Sequence, residues 1–285
     1  MWNGLSSRHR KRLARVPQGM RVYAVGDVHG RADLLAQLFY EIDADLKAHP
    51  ASRAIHVFLG YYIGRGPDSR QVLDLLLARN QRHAMIFLRG NHEILVEEFL
   101  RNPASFAIWR DTGGIETLLS YGIRLRIPIQ MPSSRGCSPS DLQRSCRRRI
   151  GNLCKALNGH SIAETFLCSC RRTARRSVVT TADEDLFWIR DKFLNSKERF
   201  GKIIVHGHNP VMDGEFHSNR INIDAGAFVT GRLSCLRIAS DEALFSVHRF
   251  GGHMCGHADS TSSLATSGAI SISHDLALTP SHSFG

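Results

Sequence analysis

Three times in the first hundred residues, a short apolar run ends in glycine and a polar block, and helix-spaced apolar residues follow. Val22-Tyr23-Ala24-Val25 leads into Gly26-Asp27-Val28-His29-Gly30, and Leu34, Leu35, Leu38, Phe39 and Ile42 then recur at helical spacing. Ala54–Leu59 leads into GYYIGRGPDS, residues 60–69, and Val72, Leu73, Leu75, Leu76 and Leu77 mark the next helix. Ala84–Leu88 leads into Gly90-Asn91-His92-Glu93, with a helix starting over Ile94–Leu100. Such alternation predicts an α/β sheet core. It also puts each polar block just past the C-terminal end of a strand, where ligand sites of open α/β sheets gather.

Further along, Trp109–Ile123 (WRDTGGIETLLSYGI) reads as a helix with a Gly-Gly pair near its start. Ile203-Ile204-Val205 reads as a strand running into Val205-His206-Gly207-His208-Asn209-Pro210. Ile221–Ala227 and Leu233–Ile238 read as two more strands. The chain therefore divides into a basic leader over 1–20, one domain over 21–240, and a mobile tail over 241–285 rich in Ser, His, Gly and Thr. His253, Cys255 and His257 belong to that tail; no second ligand pair at zinc-site spacing follows them.

Composition matters because its bias is local. The formal charge of +11 would suggest an anionic macromolecular partner. Yet Arg124–Arg176 alone holds twelve Arg or Lys against two Asp or Glu, a net of +10. A smaller basic cluster is Arg8, Arg10, Lys11, Arg12 and Arg15. The basic segment lacks interleaved aromatics and regular helical spacing, which argues against nucleic-acid binding. Five of the seven cysteines (Cys137, Cys146, Cys154, Cys168, Cys170) fall in the same segment. An odd cysteine count and a polar, basic start without an apolar signal core point to reduced thiols and a cytoplasmic location. No apolar run approaches the ~18 residues that a membrane span needs.

Asp, His and Asn at strand ends are the ligand types that hard and borderline divalent metals take. Two ions about 4 Å apart can bind a phosphate, activate a bridging water and stabilise the departing oxygen. In this order and context, the blocks resemble the phosphoprotein phosphatases of the calcineurin-like metallophosphoesterase superfamily, and within it the bacterial serine/threonine protein phosphatases. The family's blocks read GDxHG, GDxxDRG, GNHE, an HAG-type histidine and a late GH. The chain is similar over Arg21–Ile123 and again over Asp183–Ile238, including DEDLFWIRDKFL, VHGHNP and INIDAGAFVTGRL.

The resemblance implies a metallophosphoesterase sandwich of two mixed β-sheets flanked by helices. It implies two divalent metal ions (manganese, iron or zinc, with manganese usual in bacterial relatives) and hydrolysis of a phosphorylated protein or small phosphomonoester by direct in-line attack. Carried over, Asp27 and His29 match ligands of the first metal, and Asn91 and His208 match ligands of the second. His92 matches the histidine that protonates the leaving alkoxide. Arg65 matches the phosphate-clamping arginine of DRG, and Arg190 is a second phosphate-binding arginine. A planar fork of donors suits phosphate oxygens.

Three positions depart from the pattern. Tyr61 stands where the bridging Asp belongs, and a neutral phenol is a poor bridge between cations. Gly64 stands where an Asp would orient His92. No HAG-type histidine is found; His160 lies in the right interval with the wrong neighbours. Back-translated and read one base later, Cys168–Thr181 (CSCRRTARRSVVTT) can give Ala-His-Ala-Gly-Val-Arg-Pro-Gly-Val-Pro-Leu-Ser-Gln. Part of Arg124–Thr181 therefore reads as out-of-frame translation, a hypothesis that sequencing the gene checks. Two functions stay open: an impaired serine/threonine phosphatase-like hydrolase, or a non-catalytic relative, either a decayed gene product or a phosphopeptide-binding module.

Overall fold

A computed structural model describes residues 16–123, 140, 143–144, 191–198, 203–240 and 243–249. Arg190, His160, the out-of-frame candidate at 168–181, the leader before Val16 and the tail after Arg249 lie outside the described residues.

The chain alternates as its pattern predicts. β1 (Met20–Val25), α1 (Ala32–Ala48), β2 (Arg53–Phe58), α2 (Ser69–Asn80), β3 (Ala84–Phe87) and α3 (Asn91–Arg101) come first. Two short helices follow, α4 (Phe106–Trp109) and α5 (Ile115–Ser120), and then α6 (Asp191–Leu194). The remaining elements are β4 (Ile204–His206), β5 (Glu215–Phe216), β6 (Arg220–Asn222), α7 (Ala227–Thr230), β7 (Arg232–Ile238) and β8 (Ala243–Arg249).

The strands form two mixed sheets. The larger has the order β3-β2-β1-β7-β8, the smaller β4-β6-β5. β1 pairs parallel to β2, with Val22 opposite Ile55, and antiparallel to β7, with Val22 opposite Ile238. β2 pairs parallel to β3, and β4 parallel to β6.

The larger sheet is buried on both faces, so its strands are apolar on both. Tyr23, Val25, Phe58 and Phe87 pack under Leu34, Leu35 and Leu38 of α1 and Val96 and Phe99 of α3. Val22, Ala24, Ile55 and Val57 point the other way, against Val205 and Ile221 of the smaller sheet. Alternate residues of one strand thus feed two cores, and the molecule is helices on sheet on sheet.

Three expectations shift. The predicted 109–123 helix breaks at Thr112-Gly113, where Gly113 takes φ of 100° between α4 and α5. Glycine alone adopts that left-handed backbone without steric cost. The predicted 221–227 strand ends at Asn222, and Asp224 turns the chain by accepting from the Gly226 N–H at 2.8 Å before α7 begins. The sheet runs past residue 240: β8 pairs with β7 along its whole length, from Ala243 opposite Ile238 to Arg249 opposite Arg232.

Candidate active site

The strand-end blocks converge. Gly26–Gly30 follows β1, Gly60–Gly66 follows β2, Gly90 caps α3 after β3, and Gly207-His208 follows β4. His29, Tyr61, Arg65 and His208 are the non-glycine residues with positive φ among those described, at 46°, 56°, 64° and 75°. Such backbone costs about 1–3 kcal/mol per residue and collects at functional sites. Here three of the four side chains, His29, Tyr61 and His208, meet one another.

The β2 loop is tied to its neighbours through the main chain. The Tyr61 carbonyl accepts from the N–H groups of Val28 and His29 at 3.2 and 2.7 Å. The buried carboxylate of Glu93 accepts from the N–H groups of Tyr61, Tyr62 and Gly90 at 2.9, 2.9 and 2.8 Å. The bond to Gly90 closes the N-terminus of α3 in the manner of a capping box. Glu93 thus joins two of the loops. The sequence shows it only as the last letter of GNHE, and its one hint of a role is its position three residues after the helix cap.

Tyr61 sits at the centre, 1% exposed. Its ring centroid lies 5.4 Å from that of His29, 5.6 Å from His92 and 5.2 Å from His208. Its hydroxyl is hydrogen-bonded to His208 Nδ1. The ring packs against Gly90, where a Cβ would come within 2.6 Å of Cδ2 and Cε2.

The residues expected to hold metal are gathered around this ring. Asp27 is buried; one of its oxygens, Oδ2, accepts from the His208 backbone N–H at 3.0 Å, and Oδ1 has no hydrogen-bond partner. His29 Nε2 is 4.0 Å from Asp27 Oδ2, and its Nδ1 is 3.2 Å from the Ile63 carbonyl. Asn91 Oδ1 is buried without a partner. The His208 ring meets the Tyr61 hydroxyl, and its main-chain N–H donates to Asp27.

Asp224, from the turn after β6, adds a buried carboxylate whose only mark in the sequence is its place in INIDAGA. Burial first, and then the charge of Asp224, hold the Asp27 carboxyl well above the usual carboxylate range. Burial pushes Asp224 up to about 6.

His92 is buried against His29, ring centroids 4.7 Å apart, and its Nδ1 has no partner. Burial, helped by the Arg65 charge, pushes it down to about 3, so it is a neutral imidazole. A Cβ on Gly64 would lie 2.5 Å from that Nδ1. The glycine therefore borders the place from which a carboxylate would orient the ring. Arg65 is exposed and lies over the Phe228 ring, 4.6 Å from its centroid, with Phe228 in turn edge-on to His29 at 5.3 Å.

These residues do not fit a two-metal centre. The position that the resemblance assigns to a bridging carboxylate holds a buried phenol ring, and among the described residues no group of three or more His, Cys, Asp or Glu side chains is arranged to hold a metal ion. What the geometry offers instead is an exposed guanidinium, Arg65, whose charge acts on the buried, neutral imidazoles of His29 and His92.

Comparison with known proteins agrees with the fold. The family model of calcineurin-like phosphoesterases matches residues 20–235, and the chain belongs to this family. It is similar to the bis(5'-nucleosyl)-tetraphosphatase PrpE [asymmetrical] of Bacillus cereus (strain Q1), 26% identical over 242 residues, 76% of this chain and 90% of that one. It is also similar to the protein of the same name from Anoxybacillus flavithermus (strain DSM 21510 / WK1), 25% identical over 237 residues, 77% of this chain and 91% of that one. A crystal structure of a "putative diadenosine tetraphosphatase" shares the fold, with TM-score 0.52 and 14% identity over 85% of this chain and all of that one. The superfamily expected from the sequence stands, while these relatives carry a tetraphosphatase name in place of a serine/threonine phosphatase one. No helix among the described residues is long and apolar enough to cross a membrane.

Proposed function

We propose that this chain is a phosphoester-binding member of the calcineurin-like family whose two-metal hydrolysis is impaired. The observation that carries this reading is the buried Tyr61 ring among His29, His92 and His208, where a bridging carboxylate would be needed. Loss of one ligand or of one orienting partner commonly costs 10–100-fold in metal affinity or activity. Both kinds of loss meet here, at Tyr61 and at Gly64.

Arg65 supports retained binding. Its guanidinium is exposed, always charged, and backed by Phe228. For the ligand, the names of the relatives favour a dinucleoside tetraphosphate. The protein phosphoserine or phosphothreonine implied by the motif resemblance is the other class. By the motif resemblance, Arg190 would supply a second guanidinium for phosphate.

The test uses the full chain, with manganese present, on an aryl phosphate, a phosphoserine peptide and a dinucleoside tetraphosphate. Turnover should not exceed that of His92→Ala. Calorimetric titration should show saturable binding of one phosphoester, weakened about ten- to a hundredfold in Arg65→Ala, the loss of one charge-assisted contact. Manganese-dependent turnover that vanishes in His92→Ala would restore the hydrolase reading. Absence of binding to all three would leave the decayed gene product.

A further inference from the structure

We infer that Tyr61 takes the place of the metal pair as the link that holds the site loops together. The inference rests on the same site as the proposed function, but concerns what fills it.

In a two-metal site, ions join side chains that come from different strands, and so tie the loops to each other. Tyr61 makes that set of connections with one residue. Its hydroxyl reaches His208, on the loop after β4 in the smaller sheet. Its ring packs on Gly90, after β3, with Cδ2 and Cε2 occupying space that any Cβ there would need. Its carbonyl receives the Val28 and His29 amides, after β1, at 3.2 and 2.7 Å. Its amide donates to Glu93 Oε2, on α3, at 2.9 Å. Three loops of one sheet and one loop of the other therefore meet on a single side chain and its peptide groups.

The site also fits the occupant in shape. Glycine at position 90 leaves room for an aromatic ring, and the His29 and His92 rings stand at interplanar angles of 62° and 58° to it. An aromatic ring with a polar tip suits that surround: an apolar body packs against imidazole rings and the hydroxyl finds a partner. The His208 side chain is held by the phenol at Nδ1, while its backbone N–H donates to Asp27 Oδ2 at 3.0 Å. The same contact that joins the sheets thus engages a side chain expected to bind metal.

The full chain decides this through its metal content as purified and its melting temperature with and without manganese chloride, for the native protein, Tyr61→Phe and Tyr61→Asp. The native chain should carry no stoichiometric metal, and manganese should leave its Tm unchanged. Tyr61→Phe keeps the ring and loses the His208 contact, and should melt lower by about 2–4 °C, the shift for one hydrogen bond in a domain of this size. Tyr61→Asp should bind manganese at least about tenfold more tightly than the native chain.

Stoichiometric metal in the native protein, a Tyr61→Phe variant that melts with it, or no gain of manganese affinity in Tyr61→Asp would each overturn the inference. If Tyr61→Asp does not fold, Tyr61→Phe and the native metal content decide alone. A native chain that holds metal yet turns nothing over would overturn this inference and leave the phosphoester-binding reading intact. A metal-free chain that binds no phosphoester would do the reverse.

Discussion

Gly90 and Tyr61 are a matched pair, and the match can be measured. A methyl at position 90 would fall 2.6 Å from two carbons of the Tyr61 ring, a ring fixed on several sides. Gly90→Ala should therefore destabilise the native chain by about 1–3 kcal/mol, the usual cost of overpacking. The same change in a Tyr61→Ala background should cost little, and a denaturant double-mutant cycle would show the coupling. Gly64 is a different case. Restoring an Asp there must displace the His92 ring, because the new Cβ would stand 2.5 Å from Nδ1 on a backbone with φ of 80°. At this scale the sequence was informative where a motif letter changed: Tyr61 and Gly64 stand out against a known pattern. It was silent on Asp224 and on the task of Glu93, because a carboxylate serving backbone amides has no spacing rule to betray it.

The helix α3 and the loop after β2 behave as one element through Glu93. Its buried carboxylate serves three amides with charge-assisted bonds, at 2.8 to 2.9 Å. Glu93→Ala would strand those donors in the interior. Unfolding in denaturant should show a loss of about 3 kcal/mol or more, and Glu93→Gln, which can still accept, a smaller one. The elements themselves were largely legible. Apolar runs and helical spacing located β1, α1, β2, α2, β3 and α3, whose faces are set by burial against a common core. The misreadings came from turns. The 109–123 stretch keeps helical spacing on both sides of Gly113, so its pattern hides the break that the positive φ makes. The 221–227 stretch is apolar enough for a strand, but the Asp224 side chain captures the Gly226 amide and stops it.

Across the whole molecule, a buried histidine away from the site makes stability depend on pH. His56, in β2, is wholly buried, accepts from Arg79 Nε at 3.3 Å, stacks on His83 and meets the Tyr23 ring edge. Asp43 pairs with the same arginine at 2.6 Å. Burial first, then the Arg79 charge, push His56 down to about 3. The folded chain thus refuses a proton that the unfolded chain accepts near its ordinary value of about 6.5. Stability from this group is complete above that value and is lost as pH falls toward 3, by at most about 1.4 kcal/mol per pH unit. Urea midpoints measured between about pH 5 and 7 should fall with acidity, and less steeply in His56→Asn. His29 and His92, also held low by burial, act in the same direction.

One pairing bears on how such a chain would keep its fold if a long internal stretch were read out of frame. β1 lies between β2 and β7, and Val22–Val25 is joined to residues 235–238 from the far side of the sequence. The central strand is thus completed only when the two ends of the domain meet. In entropic terms, what that meeting demands of the intervening chain is length. Each doubling of a connecting loop adds only about 0.6 kcal/mol to the closure cost, whatever residues it contains. A frameshift confined to such a connection changes its chemistry and leaves its length nearly untouched. The sheet would close as before, and the damage would be read out in what the closed sheet can no longer do.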